Sequence, residues 1–164
     1  MQTRIGKLIL ATLIAIVSAC QSQPIQYYAP PANLAPSMSA TIVGSQVTVK
    51  SILFADEITF VLAIDGFAVA EGAKSYASPI QLSPGTHVVQ VGFLQGTGCA
   101  KAGFDLDVEI EQGYVARAEK LARKGIFRKQ NVKIWIEDSE GNQVTEQAVV
   151  PFDYCGGGFG LIVI

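Results

Sequence analysis

A strict period-two alternation in Phe104–Glu111 constrains the fold of this chain more than any other feature. Every apolar residue in that stretch is followed by an acidic one. Successive side chains of a β-strand point to opposite faces, so the pattern predicts a strand with one buried face and one charged face. A period of two recurs over most of the chain from Thr41 onward. It predicts about eight strands and an all-β fold.

Turn signals separate these strands. Asp65-Gly66 and Ser83–Gly85 carry the residues that set turn dihedrals, and Asp138–Asn142 predicts a hairpin between Val132–Asp138 and Gln143–Val149. Many short strands with turns between them favour a β-sandwich over a barrel.

Two segments are harder to assign. Residues 118–124 have helical spacing of Ala118, Leu121 and Ala122, with Gly125 as a cap, so one short helix is an open alternative there. The apolar residues 161–164 predict a last, buried strand.

Residues 1–19 have the three parts of an export signal. Arg4 and Lys7 form the positive start, Leu8–Val17 is apolar, and Ser18-Ala19 supplies the small residues that a peptidase requires. The apolar stretch is shorter than the roughly 20 residues that a membrane-spanning helix needs. We therefore expect a cleaved signal peptide.

Cys20 directly follows Val17-Ser18-Ala19, and this resembles a bacterial lipobox. The resemblance implies cleavage before Cys20, lipidation of its thiol and acylation of the new amino terminus. One acyl chain binds a membrane only marginally, whereas several anchor it stably. Gln21 in place of Asp implies the outer membrane, with the domain facing the periplasm. The alternative is an ordinary signal peptide with Cys20 as a bystander.

Residues 20–40 predict a lipidated start and a proline-rich tether, followed by a β-sandwich domain over 41–164. The tether contains four prolines and no charged residue from Gln21 to Ser39. Fully extended it reaches at most about 60 Å. Tyr27 and Tyr28 either belong to an ordinary linker or contact the membrane interface or a partner.

The charge balance argues against nucleic acid as a partner. Loss of residues 1–19 removes two of 12 bases and none of 14 acids, leaving a formal net charge of −4. A dedicated nucleic-acid-binding domain is expected to be basic.

Cys99 and Cys155 are the remaining cysteines of the mature chain. Exported proteins meet an oxidising compartment, so we predict that the two form a disulfide. His87 is the single histidine. No cysteine and histidine set has zinc-ligand spacing, and we expect no metal and no cofactor.

The segment Phe60–Gly66, then Gly72, then Leu82–Val91 resembles the small envelope β-modules of the PEGA type. The shared pattern is strand, Asp-Gly, strand, Leu-x-Pro-Gly-x-His, strand, and it covers residues 60–93. The resemblance implies an immunoglobulin-like β-sandwich that serves in surface or periplasmic adhesion and assembly rather than in catalysis. Fold-level likeness does not assign a ligand.

The basic side chains are concentrated after the acidic strand. Six basic residues of this region form a candidate binding patch: Arg117, Lys120, Arg123, Lys124, Arg128 and Lys129. In one interpretation the strand from Tyr114 pairs with the acidic strand, so that Arg117 faces its carboxylates. In the other, the cluster binds anionic envelope polymers, lipid headgroups or an acidic partner. A calcium site on the flat acidic face fits poorly, because calcium requires converging oxygens.

No catalytic group emerges from the sequence. His87 is expected to be a structural residue beside a turn, and no serine or cysteine has a recognisable activating base. Trp135 is expected in the core or half-buried, with sugar stacking as the alternative. The glycines of 156–160 lack the residues that complete a phosphate loop.

The sequence thus predicts a non-enzymatic, membrane-anchored binding or assembly module that contacts an envelope protein or polymer. The alternative is an envelope hydrolase or an enzyme inhibitor with active groups on loops. A purely structural subunit of a larger assembly is the third interpretation.

Overall fold

The apolar faces of the alternating strands pack against each other between two β-sheets. A computed structural model describes residues 24–51, 55–122 and 130–155. The strands formed by these residues are, in chain order, β1 (Ala40–Val43), β2 (Ser45–Val47), β3 (Glu57–Ile64), β4 (Phe67–Ala68), β5 (Ile80–Leu82), β6 (Gly85–Gln95), β7 (Gly98–Val108), β8 (Gly113–Lys120), β9 (Asn131–Asp138), β10 (Ala148–Pro151) and β11 (Asp153–Tyr154).

One sheet has five strands in the order β10-β9-β8-β1-β5. The other has six, in the order β11-β7-β6-β3-β2, with β4 also paired to β3. Strands β1 and β8 are parallel, and the other pairs in these sheets are antiparallel. The predicted all-β sandwich is confirmed, and the strand number exceeds the predicted eight because short strands flank the long ones.

The sandwich has two distinct ends. The long β6–β7 hairpin pairs Gly85 with Val108 at one end and Gln95 with Gly98 at the other. We call the first the turn end, because β3 runs toward it and finishes opposite Val89, before the Asp65-Gly66 turn. We call the second the disulfide end, because Cys99 lies beside it.

The core lies between the sheets and is built from alternate residues of the long strands. Its large, fully buried side chains include Phe60, Phe93, Leu106 and Ile134. On β7 the predicted division of faces is confirmed for the described strand, with three apolar side chains buried and the intervening aspartates exposed.

A glycine allows the chain to change sheets between β1 and β2. A Cβ on Gly44 would lie 2.1 Å from the backbone oxygen of Thr59 and 2.9 Å from that of Tyr76. The Gly44 N–H donates to this Tyr76 oxygen at 2.7 Å. Only a residue without a side chain fits so close to β3. The chain is therefore divided at this point into β1 and β2, which belong to different sheets.

The chain changes sheets again between β7 and β8. Tyr114 is buried, and its hydroxyl donates to the Asp107 carbonyl at 3.3 Å and accepts the Glu109 N–H at 3.0 Å. Such a tyrosine, bonded to backbone a few residues upstream, fastens a strand crossing in β-sandwiches. The predicted ladder between the acidic strand and the strand from Tyr114 is therefore wrong: β7 pairs with β6 and β11, whereas β8 pairs with β1 and β9.

The predicted short helix at 118–124 is wrong for residues 118–122, which the structure describes. Residues 123 and 124 lie outside the described residues. Ala118 to Lys120 belong to β8, paired with β9. The described parts of the chain contain two 3-10 turns, Pro36–Met38 and Gly72–Ser75, and no α-helix. Within those same parts no helix has the length and apolarity needed to cross a membrane.

The predicted hairpin after β9 forms, but its second strand starts late. Glu137 bridges Gln143, and regular pairing resumes only at Ala148, opposite Ile134. Residues 161–164, where a last strand was predicted, lie outside the described residues.

Part of the proline-rich stretch is bonded to the sandwich. Tyr27 forms a parallel bridge with Ala68, the Tyr28 N–H donates to the Ala68 oxygen at 2.8 Å, and the Ala68 N–H donates to the Gln26 oxygen at 2.9 Å. The Tyr28 hydroxyl donates to the Gln81 oxygen of β5 at 3.0 Å. This segment therefore joins β4 of one sheet to β5 of the other along the open side of the sandwich.

Candidate functional site

An open groove lies at the disulfide end. It encloses about 610 Å³ between the β6–β7 turn, the end of β8 and the start of β11. The side chains and turn residues that matter for its chemistry are Gln95, Gly98, Lys120, Gln130, Phe152 and Tyr154. We call it the disulfide-end groove.

A cation and an aromatic ring stand together in this groove. The Lys120 ammonium lies 5.0 Å from the centre of the Phe152 ring and donates to the Gln95 side-chain oxygen. A cation above an aromatic face is attracted by the ring's negative charge density. The ammonium carries three N–H donors, so it can bind a further acceptor in the groove while keeping Gln95.

The groove is held in shape by its surroundings. The Phe152 ring packs edge-on to buried Phe93, with centroids 5.8 Å apart. A Cβ on Gly98 would lie 2.2 Å from the Phe152 ring, so glycine makes room for it. The Phe152 N–H donates to the Gln130 oxygen at 2.8 Å. Phe152 thus connects the core to the groove floor.

The cysteine pair lies at the groove's edge. Cys99 and Cys155 have Cα atoms 5.9 Å apart, within the usual range for a disulfide. This agrees with the pairing expected from the sequence. The Cys155 N–H donates to the Thr97 oxygen at 3.0 Å, so the crosslink and this bond both tie the C-terminal part of the described chain to the β6–β7 turn. Cys20 lies outside the described residues.

Two of the six residues of the predicted basic patch, Arg117 and Lys120, are among the described residues. Lys120 lines the disulfide-end groove, whereas Arg117 lies on the outer face of the five-stranded sheet. The remaining members, Arg123, Lys124, Arg128 and Lys129, lie outside the described residues. Gln130, which follows these residues in the sequence, lines the groove.

Arg117 has a partner on its own sheet. Its Nε lies 3.0 Å from a Glu137 carboxylate oxygen. The prediction that Arg117 faces the carboxylates of the acidic strand is wrong, because the two strands belong to different sheets. On the acidic strand, Asp107 instead accepts the Thr86 hydroxyl at 2.6 Å.

Trp135 is half-buried on the same outer face, in agreement with the placement expected from the sequence. Its indole N–H donates to Glu137 at 2.8 Å, and the Lys133 ammonium lies 5.0 Å from its ring centre. Lys133 also pairs with Glu119 at 2.6 Å. These contacts occupy the ring that a sugar would need.

His87 is the centre of a second polar cluster, at the turn end. Its Nδ1 lies 2.6 Å from an Asp65 carboxylate oxygen, and its Nε2 lies 2.9 Å from the Ser83 carbonyl and 3.2 Å from the Ser83 hydroxyl. A serine in contact with a histidine that is in turn in contact with an aspartate is the arrangement of a hydrolase triad. The sequence did not identify these partners, because the Asp65 turn and the Ser83 crossing are distant in the chain.

Two features distinguish the cluster from a triad. Both ring nitrogens of His87 lie within hydrogen-bond distance of oxygen atoms, and Nε2 is closer to the Ser83 carbonyl than to the Ser83 hydroxyl. Pro84 follows Ser83 and has no N–H, so the amide that hydrolases use beside the nucleophile is missing. The arrangement therefore clamps the Ser83 crossing to the Asp65 turn.

The clamp changes the acidity of Asp65. Partial burial alone would raise the pKa of this carboxyl, but hydrogen bonds from His87 and the Val88 N–H, together with the His87 charge, hold the pKa below its usual 3.8. Tyr28 is nearby, and burial followed by the Asp65 charge raises the pKa of its hydroxyl.

Among the described residues, no group of three or more histidine, cysteine or acidic side chains is arranged to hold a metal ion. No protein-family model, curated protein or solved structure matches this chain. Its function is therefore inferred from the sequence and from the geometry of these sites.

Proposed function

We propose that the chain is a lipid-anchored, non-enzymatic binding module of the bacterial cell envelope, held in the outer membrane through acylated Cys20 with its domain in the periplasm. Its partner is an anionic envelope polymer, bound in the disulfide-end groove. The observation that carries this proposal is the Lys120 ammonium above the Phe152 ring at the mouth of an open groove.

The charge distribution supports an anionic partner. The mature chain is acidic overall, yet four of its ten bases are in the connection 123–129, next to Lys120 in the sequence and joined to the groove residue Gln130. A local cluster of basic side chains on an acidic protein attracts anionic ligands to that cluster. The rest of the acidic surface does not attract them. A carboxylate-bearing or phosphate-bearing glycan supplies the negative charge that Lys120 would bind.

The first test is co-sedimentation of the full-length lipidated protein in detergent with purified peptidoglycan sacculi. Lys120→Gln removes the charge and keeps most of the side-chain length, so we expect a loss of about 1 kcal/mol, or about fivefold in Kd. Lys133→Gln is the matched control, because Lys133 pairs with Glu119 on the outer sheet face. It should leave Kd unchanged.

Sacculi with amidated carboxyl groups provide the complementary control. They should bind much less wild-type protein, and added salt should weaken the binding to untreated sacculi. Equal binding of Lys120→Gln and wild type, or equal binding to amidated sacculi, contradicts the proposed ligand.

The anchor is tested separately. Cys20→Ala should release the protein from membranes into the soluble envelope fraction, and mass spectrometry of the wild-type N-terminal peptide should find the acyl groups. Continued membrane retention of Cys20→Ala contradicts the anchor.

A hydrolase remains the second candidate because Ser83, His87 and Asp65 are in contact. The proline after Ser83 and the carbonyl facing His87 Nε2 weigh against it. Hydrolysis of an envelope ester or glycan that is lost in Ser83→Ala would favour it over the binding module.

A further inference from the structure

The described chain first bonds to the sandwich at Gln26, beside β4. From there the segment runs parallel to β4 away from the Asp65-Gly66 turn. Six residue steps separate Cys20 from Gln26, so the link extends at most about 20 Å. The usable leash is thus much shorter than the proline-rich stretch as a whole.

This length limits how the domain can stand on a membrane. The β6 strand, Gly85–Gln95, spans about 33 Å between the two ends at about 3.3 Å per residue. Gln26 lies beside Phe67, which β3 places level with Val89 of β6. From that level the disulfide end is six residues, or about 20 Å, away, and the turn end is four residues, or about 13 Å, away. With the disulfide end against the bilayer, the link to Cys20 would therefore have to be fully extended. The turn end facing the bilayer and the domain lying on its side are the orientations that do not require full extension of the link.

Five exposed apolar side chains lie between the middle of β6 and the turn end. Their exposed fractions are 44% for Ile25, 55% for Tyr27, 56% for Met38, 41% for Phe67 and 54% for Ile110. We call these five residues the turn-end rim.

The hydrogen bonds and strand register place the rim. Phe67 follows the Asp65-Gly66 turn, and Ile110 follows the end of β7. Met38 precedes Ser39, whose carbonyl accepts the N–H of Glu111 at 3.0 Å. Aromatic side chains with one polar end are typical of the membrane–water interface, where Tyr27 would keep its hydroxyl hydrated.

Acidic side chains limit how deep this contact can be. Glu109, Glu111 and Glu140 are exposed at the same end. Carboxylates stay in water unless they are paired, so the rim enters only to headgroup depth. Their charge also disfavours an anionic leaflet relative to a zwitterionic one.

We propose that the turn-end rim is a membrane-contact surface whose occupant is the bilayer that holds the protein's own acyl chains. The domain then stands on its turn end, and the disulfide-end groove faces away from that bilayer. This proposal rests on the proposed lipidation of Cys20, because the short leash brings the rim to the membrane.

The test uses the full-length lipidated protein in phosphatidylcholine vesicles that contain headgroup-nitroxide lipid. A fluorophore is attached to Glu109→Cys at the turn end or to Thr97→Cys at the disulfide end; both positions are exposed. We expect strong nitroxide quenching of the label at 109 and little quenching at 97. A domain lying on its side gives similar quenching at both labels, which overturns the proposal.

Variants test the rim itself. Tyr27→Ser/Phe67→Ser should reduce the difference between the two labels, whereas the matched control Val47→Ser/Val149→Ser should preserve it. The control residues are 53% and 55% exposed and do not belong to the rim. Unfolding midpoints of both double variants are measured in detergent, and an unchanged difference in a folded Tyr27→Ser/Phe67→Ser protein overturns the rim's role.

Mass spectrometry and vesicle flotation distinguish a failure of the anchor from a failure of the membrane contact. A chain without acyl groups on Cys20 refutes the anchor and the membrane contact together. An acylated, floating protein with equal quenching at both labels refutes the membrane contact alone.

Discussion

Replacement of His87 by leucine separates a structural clamp from a catalytic histidine. Leucine is apolar and of comparable size, so it fills much of the buried site while removing both ring nitrogens. The change deletes the 2.6 Å contact to Asp65 and the 2.9 Å contact to the Ser83 carbonyl. The crossing from β5 to β6 then loses its link to the Asp65 turn.

The expected cost follows from these two contacts. A hydrogen bond to a charged group contributes about 1.5–3 kcal/mol and a neutral one about 0.5–1.5 kcal/mol. The Asp65 side chain is 40% exposed and regains water when His87 is lost, which favours the lower part of the combined range. We expect His87→Leu to reduce the free energy of unfolding by about 2–3 kcal/mol.

Ser83→Ala is the matched comparison. The Ser83 hydroxyl lies 3.2 Å from Nε2, but the backbone carbonyl of the same residue is closer and survives the substitution. Its loss should cost less than about 1 kcal/mol. In a triad, by contrast, both substitutions would abolish the same activity.

Urea unfolding followed by the fluorescence of Trp135, the single tryptophan, measures both variants. At a slope of about 1–3 kcal/mol/M the His87→Leu midpoint should fall by about 0.7–3 M, and that of Ser83→Ala by much less. A His87→Leu protein as stable as wild type refutes the clamp. So does a Ser83→Ala protein that is destabilised as much as His87→Leu.

Three further outcomes follow from the packing, the crosslink and the acidity of Asp65. Gly44→Ala should destabilise by at least about 2 kcal/mol because its Cβ would meet backbone, whereas Gly103→Ala, with open space around it, should change stability by under about 1 kcal/mol; equal denaturation midpoints would contradict the sheet-crossing account. Quantitative thiol labelling should find Cys99 and Cys155 unreactive until reduction, and reduction should cost about 4 kcal/mol; full labelling of the unreduced, denatured protein refutes the crosslink. Because the pKa of Asp65 is lower in the folded chain than in the unfolded one, its stabilisation is complete above about pH 4 and is lost as the pH falls through the lowered value. Asp65→Asn should therefore lose less stability than wild type between pH 5 and pH 2, and parallel pH profiles of the two proteins would contradict this.

The faces of individual strands were predictable because they depend on local alternation. Phe104, Leu106 and Val108 are buried as expected, and Asp65-Gly66 forms the predicted turn with positive φ at both residues. Ile110 continues the alternation in the sequence but is exposed, because β7 ends at Val108. The alternation of apolar and polar residues predicts which face of a strand is buried. It does not predict at which residue the pairing with the neighbouring strand ends.

Strand pairing was not predictable from the same pattern. A short connection between two alternating segments favours a hairpin, yet the Tyr114 hydroxyl fastens a crossing to the other sheet. Arg117 consequently meets Glu137 rather than the acidic strand. The information lies in one buried hydroxyl and its two backbone partners, which no charge pattern reveals.

The candidate site was predictable in part. Lys120 was among the predicted basic residues, and the pairing of Cys99 with Cys155 follows from the cysteine count in an exported chain. The contributions of Gln95 and Phe152 were missed, because they depend on the close approach of two strand ends and leave no local motif.

Photo-crosslinking in intact cells tests the two-ended arrangement most directly. A photoreactive amino acid at Thr97 should link the protein to the polymer fraction that remains insoluble in detergent, and the same group at Glu109 should link it to lipid. Crosslinks from Thr97 to lipid, or from Glu109 to the polymer, would contradict a domain that stands on its turn end and presents its groove to an anionic envelope polymer.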